Sequence, residues 1–101
     1  MGDSRQPGYS QEGGYDKLPE IARFYGLIIK MYFTNDKNAA PNFNALYGEY
    51  MGEFDINTLE MLKGDLPPRA VNIVKEWAGL YQSELLEMWN SQKTHRLPPL
   101  V

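Results

Sequence analysis

The chain has 101 residues, so it carries one domain at most. Its net charge of −3 argues against a simple nucleic-acid binder, because phosphate neutralisation needs a basic surface. It has no cysteine, which excludes disulfides, thiolate catalysis and cysteine-ligated zinc and fits a reducing cytoplasm.

Residues Met1 to Tyr15 are rich in Gly, Ser, Gln and Asp and show no periodicity. Such a segment buries no core and is expected to be a disordered tail or an expression remnant. It lacks the basic-then-apolar pattern of a signal peptide, and no apolar run in the chain approaches the roughly 20 residues that span a bilayer. The expected organisation is a tail over 1–15, a single domain over 16–96 and a second tail over 97–101. In that second tail Pro98 and Pro99 stop any helix, and Leu97 and Leu100 either pack back or hang free.

The first strand is predicted from Ala22 to Phe33. Leu27, Ile29, Met31 and Phe33 alternate onto one face, and Ile28, Lys30 and Tyr32 take the other, which the lysine marks as partly wet. A polar loop from Thr34 to Pro41 is long enough to project. A second strand covers about Asn42 to Gly48, and Gly48-Glu49 turns into a third over Tyr50 to Ile56. Asn57-Thr58 then leads to a short fourth strand, Leu59 to Leu62. Asp65-Leu66-Pro67-Pro68 begins a helix, since proline suits the first helical position, with Asp65 or nearby backbone meeting its first turn. Ala70, Val74, Trp77, Tyr81, Leu85 and Met88 follow at three- and four-residue spacing, with Val71, Ala78 and Trp89 widening the stripe. Gly79 and Ser83 predict a break near Leu80 to Ser83.

The fold class expected is α+β: an antiparallel sheet of three to four strands followed by a long C-terminal helix, straight or kinked, or a helix pair packed on one face. Ile29, Met31, Phe54, Ile56, Val74, Trp77 and Tyr81 are expected in the core.

The segments Phe24–Phe33, Ala45–Tyr50, Phe54–Glu60, Gly64–Ala70, Glu76–Ala78 and Glu84–Trp89, taken in order, resemble the domain-of-unknown-function family 4160. The resemblance covers about Leu18 to Leu100. It implies a small bacterial protein, also carried on mobile elements and encoded beside a second small protein in pairs of toxin–antitoxin type. The family's loop reads Asp-His-Asn-Pro-Pro-His-Phe-His-Ala. Here the stretch Asp36–Ala45 is one residue longer, with Lys37, Asn42 and Asn44 where the family has histidines. Asparagine hydrogen-bonds but is no general base near neutral pH and a poor zinc ligand, so chemistry resting on those histidines is lost.

Other constellations are weaker. Glu53, Asp55 and Asn57 share a strand face and offer oxygens to a hard cation, but read better as the polar side of a half-exposed strand. His95 is the one histidine and reads as a surface residue. Lys30, Lys37, Arg69 and Lys75 make a basic patch only if the fold gathers them. Tyr25, Tyr32, Tyr47 and Tyr50 with Lys30 make a stacking platform for single-stranded RNA on the same condition. No nucleophile elbow, phosphate loop or dinucleotide fingerprint occurs, so no catalytic residue, cofactor or metal is assigned.

Three functional readings follow. The first is a non-enzymatic protein-interaction or regulatory module of a two-gene system, with Lys37, Asn42 and Asn44 binding a protein partner. The second is an RNA-binding or ribonuclease-like toxin, disfavoured by the charge. The third is an inhibitor of a host enzyme acting through an acidic surface.

Overall fold

The computed structural model of the chain describes residues 19–34, 36 and 38–101. The expected N-terminal tail and Lys37 lie outside them. Five strands and two helices form the described part: β1 (Glu20–Phe24), β2 (Leu27–Lys30), β3 (Asn42–Tyr47), β4 (Tyr50–Asp55), β5 (Met61–Gly64), α1 (Pro68–Leu80) and α2 (Gln82–Ser91). The strands make one antiparallel sheet in the order β1-β2-β3-β4-β5, a meander. The α+β class and the helix pair are as expected, but there are five strands rather than three or four.

The extra strand comes from the stretch predicted as a single strand from Ala22 to Phe33. Phe24 pairs with Leu27, so Tyr25-Gly26 is a two-residue hairpin turn. Both turn residues have positive φ, 50° and 82°, as a mirror-image type I′ turn requires. Tyrosine rarely occupies that conformation, so the sequence carries only half of the usual turn signal. The second hairpin, Gly48-Glu49 between Tyr47 and Tyr50, matches the prediction.

Cross-strand register sorts the side chains onto two faces. On the helix-covered face Ala22, Ile29, Ala45 and Gly52 stand in one row, and Phe24, Leu27, Tyr47 and Tyr50 in the next. A bulge between Glu20 and Ala22 turns Ile21 inward as well, and both Ile21 and Ala22 are fully buried. Trp77 of α1 is the centre of the core, with its ring 5.3 Å from Phe24, 6.2 Å from Phe43 and 5.6 Å from Tyr81. Phe43 and Phe54 stack beneath it at 5.3 Å. Of the seven residues expected in the core, six are fully buried and Tyr81 is half-buried at its edge.

The predicted helix break falls at Tyr81, which closes α1 and opens α2 with φ −119° and ψ 24°. Gln82 fixes the junction: its Nε2 donates to the carbonyls of Ile56 and Asn57 at 2.7 and 3.0 Å, tying the helix pair to the β4–β5 turn. α1 begins at Pro67-Pro68 with no side-chain cap. Asp65 does not serve that turn, because its Oδ1 accepts from the Met51 N–H at 3.1 Å instead.

Of the two alternatives for residues 97–101, the structure takes packing back. Leu97 is buried, its N–H donates to the Ile21 carbonyl at 2.8 Å, and Leu100 packs against the core. This segment therefore runs along the β1 side of the sheet rather than leaving the domain.

Candidate functional site

The β2–β3 loop and β3 carry the residues expected to bind a partner. Thr34 and Asp36 close the loop on itself: Thr34 Oγ1 accepts from the Asp36 N–H at 3.2 Å and Asp36 Oδ1 from the Asn38 N–H at 2.9 Å. Asn42 continues this pattern, its Nδ2 donating to the Ala40 carbonyl at 2.8 Å. Asn42 and Asn44 are two apart on β3, so both sit on the face away from the helices.

That face holds a polar row that crosses all five strands. Glu20 pairs with Lys30, Lys30 with Asn44, Asn44 with Glu53, and Glu53 with Lys63. The row alternates in charge about a central amide, and like charges never stand opposite one another. Beside it runs a second row, Arg23, Ile28, Leu46 and Met51, whose three apolar members are half-buried.

Two members of the polar row depart from the sequence reading. Lys30, read as the mark of a wet face, is 8% exposed, and Asn44 is 3% exposed. The Oδ1 of Asn44 is buried with no hydrogen-bond partner. Asn44 is therefore a buried amide in the middle of the sheet, not a residue on a projecting loop. Only Asn42 remains at the loop, half-buried, and Lys37 lies outside the described residues.

The carboxylates are engaged locally. Glu53 lies 3.7 Å from the Lys63 ammonium. Asp55 Oδ1 accepts from the Asn57 and Thr58 N–H groups at 2.7 and 3.1 Å, so it shapes the β4–β5 turn. Among the described residues no group of three or more His, Asp or Glu side chains is placed to hold a metal ion. Glu20 accepts a two-point contact from Arg23, at 2.7 and 3.1 Å, and a third bond from Arg96 at 3.0 Å. The hydrogen bonding by Arg23, with the charges of both arginines, holds the Glu20 carboxyl below the usual range and raises Arg23 in turn.

Among the described residues the basic groups stay on separate elements, the reading preferred over a gathered patch. Lys30 is in the polar row, Arg69 is at the start of α1, and Lys75 pairs with Glu60 at 3.4 Å. His95 is exposed, with its Nδ1 3.2 Å from the Arg96 carbonyl. The tyrosines fare differently. Tyr25, Tyr47 and Tyr50 gather at the hairpin end of the sheet, 61%, 38% and 46% exposed, while Tyr32 lies past the other end of β2 and Lys30 is on the opposite face. The cation that joins the tyrosines is Arg69, which together with Tyr25 and Tyr47 lines a cavity of about 220 Å³. Nothing in the sequence pairs Arg69 with tyrosines 22 and 44 positions earlier; only the return of the chain at β5 does so.

Fold and site together define a small α+β protein in which an antiparallel meander is backed by a broken helix and carries a polar row on its other face. The family model described as domain of unknown function DUF4160 matches residues 26–90, and the chain belongs to that family. No curated protein and no solved structure matches it.

Proposed function

We propose that this protein is a non-enzymatic interaction module, the regulatory and antitoxin-like partner in a bacterial or mobile-element two-gene system, acting in the cytoplasm. The observation that carries the reading is the unpartnered Oδ1 of Asn44, beside Asn42 on the sheet face opposite α1 and α2. Native interiors leave few such acceptors unmet, and each costs about 1–3 kcal/mol. A partner that displaces the side chains packed over Asn44 delivers a donor to this oxygen and recovers that energy, with the half-buried Asn42 alongside. Lys37 stands in the same loop by sequence.

Amides and a lysine bind but do not shuttle protons at neutral pH, which supports recognition over catalysis. The altered loop fits this: Lys37, Asn42 and Asn44 take the places of histidines, so the surface is kept and the proton chemistry is given up.

The test is co-expression with a tagged product of the neighbouring gene. The parent chain is expected to co-purify with it, and the Asn42→Ala/Asn44→Ala variant to be retained at least tenfold less. Equal retention of the two overturns the assignment of these residues. Turnover of RNA by the purified parent, lost in the variant, overturns the non-enzymatic reading.

A further inference from the structure

Both two-residue hairpin turns, Tyr25-Gly26 and Gly48-Glu49, lie at the same end of the meander, opposite the Asn42 loop. The chain leaves β5 at this end and starts α1 there. The cavity formed between them has a buried apolar floor, Leu27 and Ala70, continued by the half-buried Ile73. Tyr25 and Tyr47 stand at its lip.

Three features prepare this cavity for a ligand. First, the lip is braced. The Tyr25 ring meets Phe24 edge-on at 6.4 Å, and the Tyr47 ring lies so close over Gly26 that a Cβ there would come within 3.1 Å of it. Second, Tyr25 is held at φ 50°, a conformation that glycine or asparagine fills at less cost. A large aromatic kept there, and 61% exposed, is not explained by the turn alone. Third, Arg69 is the charged group among the described residues lining the cavity, while Glu49 sits in the adjacent turn outside that lining. Arg69 makes no ion pair among the described residues, and the first turn of α1 contains no acidic residue. The nearby Asp65 carboxylate is turned to the Met51 N–H.

We propose that this cavity is a docking site for an acidic segment of a partner protein, taking one large apolar side chain on the Leu27–Ala70–Ile73 floor with a flanking carboxylate on Arg69. Size and charge choose the occupant. Pockets for cofactors and drug-sized ligands run to about 300–1,000 Å³, so this one suits a single side chain. Tracking a nucleic-acid backbone takes a series of cations, whereas Arg69 is the one cation lining this cavity among the described residues. A carboxylate is matched by the planar guanidinium in two-point geometry. The proposal does not depend on Asn42 or Asn44, which lie away from this end on the opposite face of the sheet.

The test is an amide-resolved NMR titration of the full chain with three probes: the peptide Gly-Asp-Phe-Asp-Gly, its counterpart Gly-Lys-Phe-Lys-Gly, and a ten-residue oligouridylate. The acidic peptide is expected to give saturable shifts at Tyr25, Tyr47, Arg69 and Ala70. The lysine peptide is expected to bind at least tenfold more weakly. Arg69→Gln should weaken the acidic peptide about tenfold and Arg69→Glu more, with melting temperature unchanged because the side chain is exposed. Three results each overturn the proposal: no saturable shift with the acidic peptide, equal binding of the two peptides, or stronger, steeply salt-dependent binding of the oligouridylate to the same residues. The last would make this face an RNA platform.

Discussion

The indole Nε1 of Trp77 donates to the Pro98 carbonyl at 2.8 Å, which ties the middle of the core helix to the segment that follows α2. The same segment inserts Leu97 and bonds to β1 through the Ile21 carbonyl. Trp77 thus does two jobs, filling the space between the sheet and α1 and anchoring the strap over β1. Trp77→Ala is expected to cost about 3–5 kcal/mol, enough to unfold much of a domain this size. Trp77→Phe keeps an aromatic ring but loses the hydrogen bond, for about 1–2 kcal/mol. If the bond acts through the strap, the Trp77→Phe penalty shrinks in a chain lacking residues 97–101. A double-mutant cycle by urea denaturation reads this, and full additivity would refute the coupling.

Glu20 joins the strap from the other side, holding Arg23 of its own strand and Arg96 of the segment after α2. Its carboxyl is depressed in the folded state, chiefly by the Arg23 hydrogen bond. The sign follows. Stability from this group is fully present above the ordinary carboxylate range and is lost as pH falls through the lower folded value. The melting temperature of the parent should therefore drop more steeply than that of Glu20→Gln between about pH 5 and pH 3. Parallel acid limbs for the two proteins would show that the contact contributes nothing, as many exposed pairs do.

How much of this was legible depended on whether the signal was local. β3, β4 and their Gly48-Glu49 turn follow from period-two alternation, and α1 and α2 from the stripe that runs from Ala70 to Met88. The break at Tyr81 was foreshadowed by Gly79 and Ser83, but its fastening by Gln82 to the Ile56 and Asn57 carbonyls is a contact between residues 25 and 26 positions apart. The Tyr25-Gly26 turn escaped because tyrosine at positive φ is uncommon and the residues directly beside it, Phe24 and Leu27 to Ile29, are apolar. The burial of Lys30 and Asn44 escaped for a different reason. A polar side chain in a strand reads as solvent-facing, and only the register that aligns Glu20, Lys30, Asn44, Glu53 and Lys63 shows a row of polar groups facing one another. Of the three residues expected to bind a partner, Asn42 and Asn44 were correctly placed on one face, but the depth of Asn44 was not readable.

Two glycines make a contrast that tests the sheet edge. Gly64 has φ 125°, and a Cβ there would collide with the Met51 carbonyl oxygen and lie 2.7 Å from Gly52 Cα. Both obstacles are backbone, so they cannot swing aside. Gly64→Ala should cost about 1–3 kcal/mol for the backbone conformation and a comparable amount for the clash. Gly48 also has positive φ, 59°, but a Cβ there meets nothing within 4 Å. Gly48→Ala should therefore cost only about 1–2 kcal/mol. Thermal melts of the two variants are expected to differ clearly. Equal losses would mean that β5 yields and that the Gly52–Gly64 pairing is loose in solution.

The unpartnered amide of Asn44 makes the sharpest prediction. Most polar-to-apolar changes at a site 3% exposed remove a hydrogen bond and destabilise, but here the Oδ1 has none to lose. Asn44→Val relieves an unmet acceptor, worth about 1–3 kcal/mol, and puts a β-branched side chain in the centre of a sheet. The offset is that Val cannot complete the polar row between Lys30 and Glu53. The net expectation is a melting temperature equal to or above that of the parent, by up to about 4–8 °C for each kcal/mol gained in a domain of this size. On the proposed reading, in which the acceptor serves binding at a cost in stability, partner retention should fall in the same variant. A variant that is both less stable and undiminished in binding would show that the amide is satisfied within the fold, and would remove Asn44 from the recognition surface.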